Sequence, residues 1–133
     1  MGTEEDFRSI LAMLNAAKAH LKRPRIVMRG LQIREAGTRY PGSYYVTARH
    51  GAEYWGRIDP NGRYMPARSL PGDATPILAQ LRELAADPVK AAARYGRETG
   101  ECCFCARQLT DPRSTQVGYG PICAARFGLP WGT

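Results

Sequence analysis

An α+β fold is predicted for this chain, and three observations predict it. Apolar residues recur at helical spacing near the N-terminus. A middle stretch rich in β-branched and aromatic residues follows, broken by turn-forming pairs. Helical spacing then returns ahead of a cysteine-rich tail. With 133 residues the chain can bury one modest core. The expected organisation is a body over residues 1–98, made of a helix, a three- or four-stranded sheet and helices. A cysteine module over residues 99–133 packs on it.

The first helix is expected over residues 4–21. Phe7, Ile10, Leu11, Leu14, Ala17 and Leu21 form one apolar stripe, Thr3 is the expected N-cap, and Pro24 ends the segment. The signal then changes to extended chain in "RIVMRGLQI", "SYYVTAR", "AEYWGRI" and "GRYMPA". Between the last two, Asp59-Pro60-Asn61-Gly62 suits a type I turn closing a hairpin. The result is a small antiparallel meander, with one face on a helix and the other in water. Two more helices follow. Ile77, Leu78, Leu81, Leu84 and Ala85 stripe the first. Asp87-Pro88 starts the second, with Val89, Ala92, Ala93 and Tyr95 on its buried side and Gly96 as its stop.

No apolar run approaches the roughly 20 residues of a membrane span, and the N-terminus lacks the basic start and apolar block of a signal peptide. A cytoplasmic protein is expected. Reduced thiols are the default there, which argues for metal binding or reactivity over disulfides. The net charge is +7, and much of the excess lies between Lys22 and Arg49, where Glu35 is the only acid. Such a stretch attracts polyanions or an acidic protein surface. On the strands, Tyr44 and Tyr45 alternate, as do Tyr54 and Trp55, so one of each pair should face solvent. Aromatics interleaved with arginine stack and hold single-stranded nucleic acid, although aromatics also favour strands for packing alone. The expected contact residues are Arg23, Arg25, Arg29, Arg34, Arg39, Tyr45, Arg49, Trp55, Arg57 and Arg63.

All four cysteines lie in "TGECCFCARQLTDPRSTQVGYGPICAARFGLPW". Cys102 and Cys105 have the C-x-x-C spacing of a metal knuckle, and the turn formers Gly118, Gly120 and Pro121 bring Cys123 back towards it. Thiolates in this arrangement suit tetrahedral Zn2+, which in a structural site takes four ligands. Cys103 is expected as the fourth ligand because it is the remaining thiol; Asp111 and His50 are the alternatives. A redox C-x-x-C would open a helix after a strand, and a cysteine nucleophile would want a histidine, yet His20 and His50 are distant in sequence.

The same stretch resembles a zinc-finger-like domain family of unknown function found in actinobacterial and phage-encoded proteins. Its pattern is C-x-x-C-[GA]-R-x-L-T-D-x-x-S followed by G-[YI]-G-P-x-C. Cys102, Cys105, Arg107, Leu109, Thr110, Asp111, Ser114, Gly118, Gly120, Pro121 and Cys123 match in order, and the usual glycine after the second cysteine is Ala106. The resemblance covers about the last quarter of the chain. It implies a metal-binding module in a phage or mobile-element setting, and no reaction.

Three functions are therefore expected, in this order. The first is a non-catalytic, zinc-stabilised protein whose basic, aromatic surface contacts nucleic acid or a nucleoprotein complex. The second is a phage-encoded interaction factor or inhibitor acting on a host nucleic-acid enzyme or defence complex. The third is a zinc-dependent enzyme. It is disfavoured because the deaminase pattern H-x-E with P-C-x-x-C is missing and the sole acid beside the knuckle, Glu101, reads as a solvated turn residue.

Overall fold

The computed structural model describes residues 6–48, 53–68 and 74–129. The fold is α+β. Helix α1 (Arg8–Ala17) leads into five strands, β1 (Arg25–Val27), β2 (Leu31–Glu35), β3 (Tyr44–Ala48), β4 (Tyr54–Ile58) and β5 (Tyr64–Pro66). Helices α2 (Thr75–Ala86), α3 (Pro88–Thr99), α4 (Pro112–Val117) and α5 (Pro121–Phe127) follow. The strands pair in chain order as one antiparallel meander. Among the described residues no helix is long and apolar enough to cross a membrane.

Helix α1 carries the expected stripe. Phe7, Ile10, Leu11, Leu14 and Ala17 are buried, each large side chain contributing roughly 1.5–3 kcal/mol. The helix is shorter than expected: after Ala17 the chain tightens into turns, with Lys18 N–H on the Asn15 carbonyl and His20 N–H on the Ala17 carbonyl. Thr3, the expected cap, lies outside the described residues, and Phe7 at the N-cap position makes no side-chain cap bond. The helix start is held instead by the Asp59–Gly62 turn, whose Gly62 carbonyl accepts from Phe7 N–H at 2.8 Å. That turn closes as expected, with Gly62 N–H on the Asp59 carbonyl at 2.9 Å.

The sheet has five strands because "RIVMRGLQI" is two of them. Gly30, at φ 76°, lets the chain reverse after Met28, whose N–H reaches the Leu31 carbonyl at 2.8 Å. Ile26, Ile33, Val46 and Gly56 then line up across four strands on the inner face. Tyr44 joins the buried side and donates its hydroxyl to Asn15 Oδ1 at 2.7 Å, pinning α1 to the sheet.

Helices α2 and α3 form where their stripes and prolines place them. Asp87 caps α3 by accepting from Lys90 N–H at 3.1 Å. One boundary differs: Gly96 is inside α3 and buried, and Gly100, in the left-handed conformation, is the stop. A β-carbon at Gly96 would fall on the Gly118 carbonyl, so this glycine serves close approach between α3 and the turn after α4. Ala92 and Tyr95 are buried on α3 as expected, Val89 and Ala93 are only partly buried, and Ala91 and Gly96 join the buried side.

The cysteine module shares its core with the body. Cys102, Cys103, Phe104, Tyr119, Cys123 and Phe127 belong to the same buried cluster as α1 and the sheet, and the Phe104 and Phe127 rings stack with centroids 4.1 Å apart.

Candidate functional site

Residues 100–109 form a tight hairpin. Leu109 N–H bonds the Gly100 carbonyl at 2.7 Å, Cys102 N–H the Arg107 carbonyl at 2.9 Å, and Ala106 N–H the Cys102 carbonyl at 2.8 Å. Its tip is the C-x-x-C turn. Short helices α4 and α5, each opened by a proline at its first turn, return the chain so that Cys123 lies beside the tip. The sulfurs of Cys102, Cys105 and Cys123 all lie within 4.8 Å of one another. All four cysteines are free thiols.

The donor set fits a metal. The Cys102 sulfur accepts from the Cys123 thiol and from the backbone amides of Phe104, Cys105 and Gly120. Together these hold it below the usual thiol range. Cys123, which gives its proton to that bond and is partly buried, is pushed up. Amides aimed at a sulfur stabilise thiolate, the form that ligates metal. The three thiols open into a cavity of about 390 Å³ that Arg107, Asp111, Ser114 and Arg126 also line.

Cys103 does not join this cluster. Neighbouring side chains on an extended turn diverge, and that of Cys103 goes into the core, where it is 0% exposed. Burial raises its thiol pKa, and its main-chain carbonyl accepts from Val27 N–H at 2.6 Å. Its role is packing and edge-strand support, which corrects the expectation that it ligates. Asp111 lines the cavity, and His50 lies outside the described residues. The cluster of Cys102, Cys105 and Cys123 was legible from the knuckle spacing and the Gly118, Gly120 and Pro121 turn formers; the helices that return Cys123 were missed, although Asp111-Pro112 and Gly120-Pro121 signal them.

The expected contact residues divide. Arg25, Arg34, Tyr45, Arg57 and Met65 are cross-strand partners in one row on the outer face of the sheet. Beside this row Arg23, Arg25, Gln32, Arg34 and Tyr45 line a cleft of about 520 Å³. Glu35 lines the cleft too and is engaged by Lys18 at 2.6 Å. Arg39 and Arg57 lie over the Tyr40 ring, 5.6 and 4.0 Å from its centroid, and Tyr45 stands edge-on to Tyr54 at 5.3 Å. Two residues sit elsewhere: Arg29 pairs with Glu98 at 2.6 Å, and Arg63 occupies the β4–β5 turn. Trp55 is half-buried and packed on the core, whereas Tyr54 is 39% exposed. The cause is a bulge at Val46/Thr47, which pairs Thr47 with Tyr54 and skips Trp55. Tyr40 and Tyr54 are thus members of this face that alternation alone did not single out. Arg49 lies outside the described residues.

Fold and site together define an α+β domain with a three-thiol candidate metal centre at the end of a basic sheet. Residues 92–128, which include all four cysteines, match the model of a family of unknown function, DUF6011. No curated protein and no solved structure matches the chain.

Proposed function

We propose that the protein binds nucleic acid without catalysis, on the outer face of its sheet, and that Zn2+ held by Cys102, Cys105 and Cys123 staples the module beside that face. The observation that carries this reading is the row Arg25, Arg34, Tyr45 and Arg57 on four successive strands. Strands about 4.8 Å apart make the row about 14 Å long. Arg23 and Arg34 have no acidic partner among the described residues, so their charge is available to phosphate, and Tyr45 and Tyr54 present apolar surface beside it. Zinc is favoured over other ions by the thiolate donors, and free thiols suit a reducing cytosol. Resemblance of the module to actinobacterial and phage sequences supports a mobile-element setting, in which the bound nucleic acid belongs to an invading or host genome.

Fluorescence anisotropy with labelled single-stranded DNA, double-stranded DNA and RNA tests the reading at low and moderate salt. Binding is expected at 50 mM salt and should weaken steeply by 200 mM. The slope of log affinity against log salt should fall by about 0.7 for each of Arg25→Ala and Arg34→Ala on single strands. Absence of binding to all three probes at low salt sinks the proposal.

A further inference from the structure

We propose that Asp111 is the fourth ligand of the metal centre, giving a site of three sulfurs and one oxygen. This rests on reading the thiol cluster as a metal centre. A closed structural site takes four ligands, and the cluster supplies three. The fourth must come from the cavity into which these sulfurs open, since Cys103 is turned into the core. Of the described residues lining that cavity, Asp111 is the only carboxylate and none is a histidine. Its oxygens are not within 4.8 Å of all three sulfurs, so ligation requires the exposed Asp111 side chain to close on the ion.

The placement of Asp111 on its own helix is the second observation. It stands at the N-cap of α4, where an aspartate ordinarily accepts from the amides of the first turn. Here its side chain makes no cap bond. Its one side-chain partner among the described residues is the hydroxyl of Ser114, 3.5 Å from Oδ2. Ser114 is buried, and a buried hydroxyl one turn along is the kind of group that orients a ligating carboxylate. Charge is consistent as well. Three thiolates and a carboxylate around a divalent ion leave an excess of two negative charges, and Arg107 and Arg126 line the same cavity. Neither arginine has an ion-pair partner among the described residues.

Cobalt(II) added to the reduced, metal-free full-length chain reports the ligand set directly. The wild type should bind one ion with the visible bands of a tetrahedral site and a sulfur-to-metal charge-transfer band of three thiolates. Asp111→Ala should weaken cobalt binding by about 10- to 100-fold and alter the visible bands, and Ser114→Ala should weaken it by about tenfold. Asp111→Cys should restore affinity and raise the charge-transfer band by about a third, the step from three to four thiolates. Cys103→Ser should leave both affinity and spectrum unchanged. An unaltered spectrum in Asp111→Ala, or loss of one thiolate's absorption in Cys103→Ser, overturns the assignment of Asp111 while leaving the metal centre standing. A change on His50→Ala with none on Asp111→Ala does the same. If the wild type binds no cobalt, the metal centre itself fails, and Asp111 with it.

Discussion

Ala106 stands at φ 63°, in the left-handed region that a β-carbon disfavours, at the turn that aims Cys102 and Cys105 at one point. Ala106→Gly should therefore stabilise the protein by about 1 kcal/mol, the left-handed cost less the extra freedom glycine has when unfolded. Denaturant melts at constant metal loading check it; a lower midpoint refutes it. Tyr64 gives a second expectation at this scale. Burial, with a smaller contribution from Tyr54, pushes its phenol up to about 12, and its hydroxyl donates to the Trp55 carbonyl. A group whose folded pKa lies above its unfolded value stabilises fully below the unfolded pKa, near 10, and loses that contribution as pH climbs towards 12. Stability should thus be flat in this respect below pH 10 and fall above it. Tyr64→Phe should be less stable at neutral pH, having lost the hydrogen bond, yet decline less steeply between pH 10 and 12. Equal slopes in the two proteins exclude Tyr64 as the titrating group. Residue-scale facts of this kind were poorly legible in the sequence. Alternation separates Tyr54 from Trp55, but only the bulge decides which one faces water. Proximity suggested Cys103, but only the direction of its side chain removes it.

At the scale of elements, periodicity and turn chemistry were the readable signals. The α1 stripe, the Asp59–Gly62 turn and the Asp87-Pro88 start of α3 all stand where local rules put them. The misreadings occurred where tertiary contact decided. "RIVMRGLQI" splits because Gly30 reverses the chain, and α3 runs past Gly96 because that glycine faces Gly118. The Gly96–Gly118 approach yields a prediction whose sign opposes intrinsic propensity. Alanine in an exposed helix interior gains roughly 0.8–1 kcal/mol over glycine. At Gly96 the added methyl would strike the Gly118 carbonyl, and at Gly118, with φ 104°, it would strike Ala93 backbone. Both substitutions should destabilise by about 1–3 kcal/mol or more. Thermal or denaturant unfolding decides; a gain in stability for Gly96→Ala would show that the helices separate at no cost.

Across the whole molecule, among the described residues the cysteine hairpin bonds the first strand of the sheet at two points. Cys103 gives its carbonyl to Val27 N–H, and the Cys105 carbonyl accepts from Arg25 Nη2 at 3.1 Å. Arg25 is at the same time a wall of the basic cleft and the first member of the cross-strand row. The carbonyl that positions this guanidinium belongs to a residue of the thiol cluster, so the order of the knuckle and the aim of Arg25 are linked. If the sheet face binds nucleic acid as proposed, removing metal from the reduced protein should weaken single-strand binding by about tenfold. That is the loss of one charge-assisted contact of roughly 1.5 kcal/mol. Arg25→Ala should show a similar loss with metal present, and chelation should then add little, because the two changes remove the same contact. Titrations of wild type and Arg25→Ala, each with and without chelator, form the required cycle. Should chelation weaken Arg25→Ala as much as wild type, the metal would act on the fold at large and the link through Arg25 would be wrong.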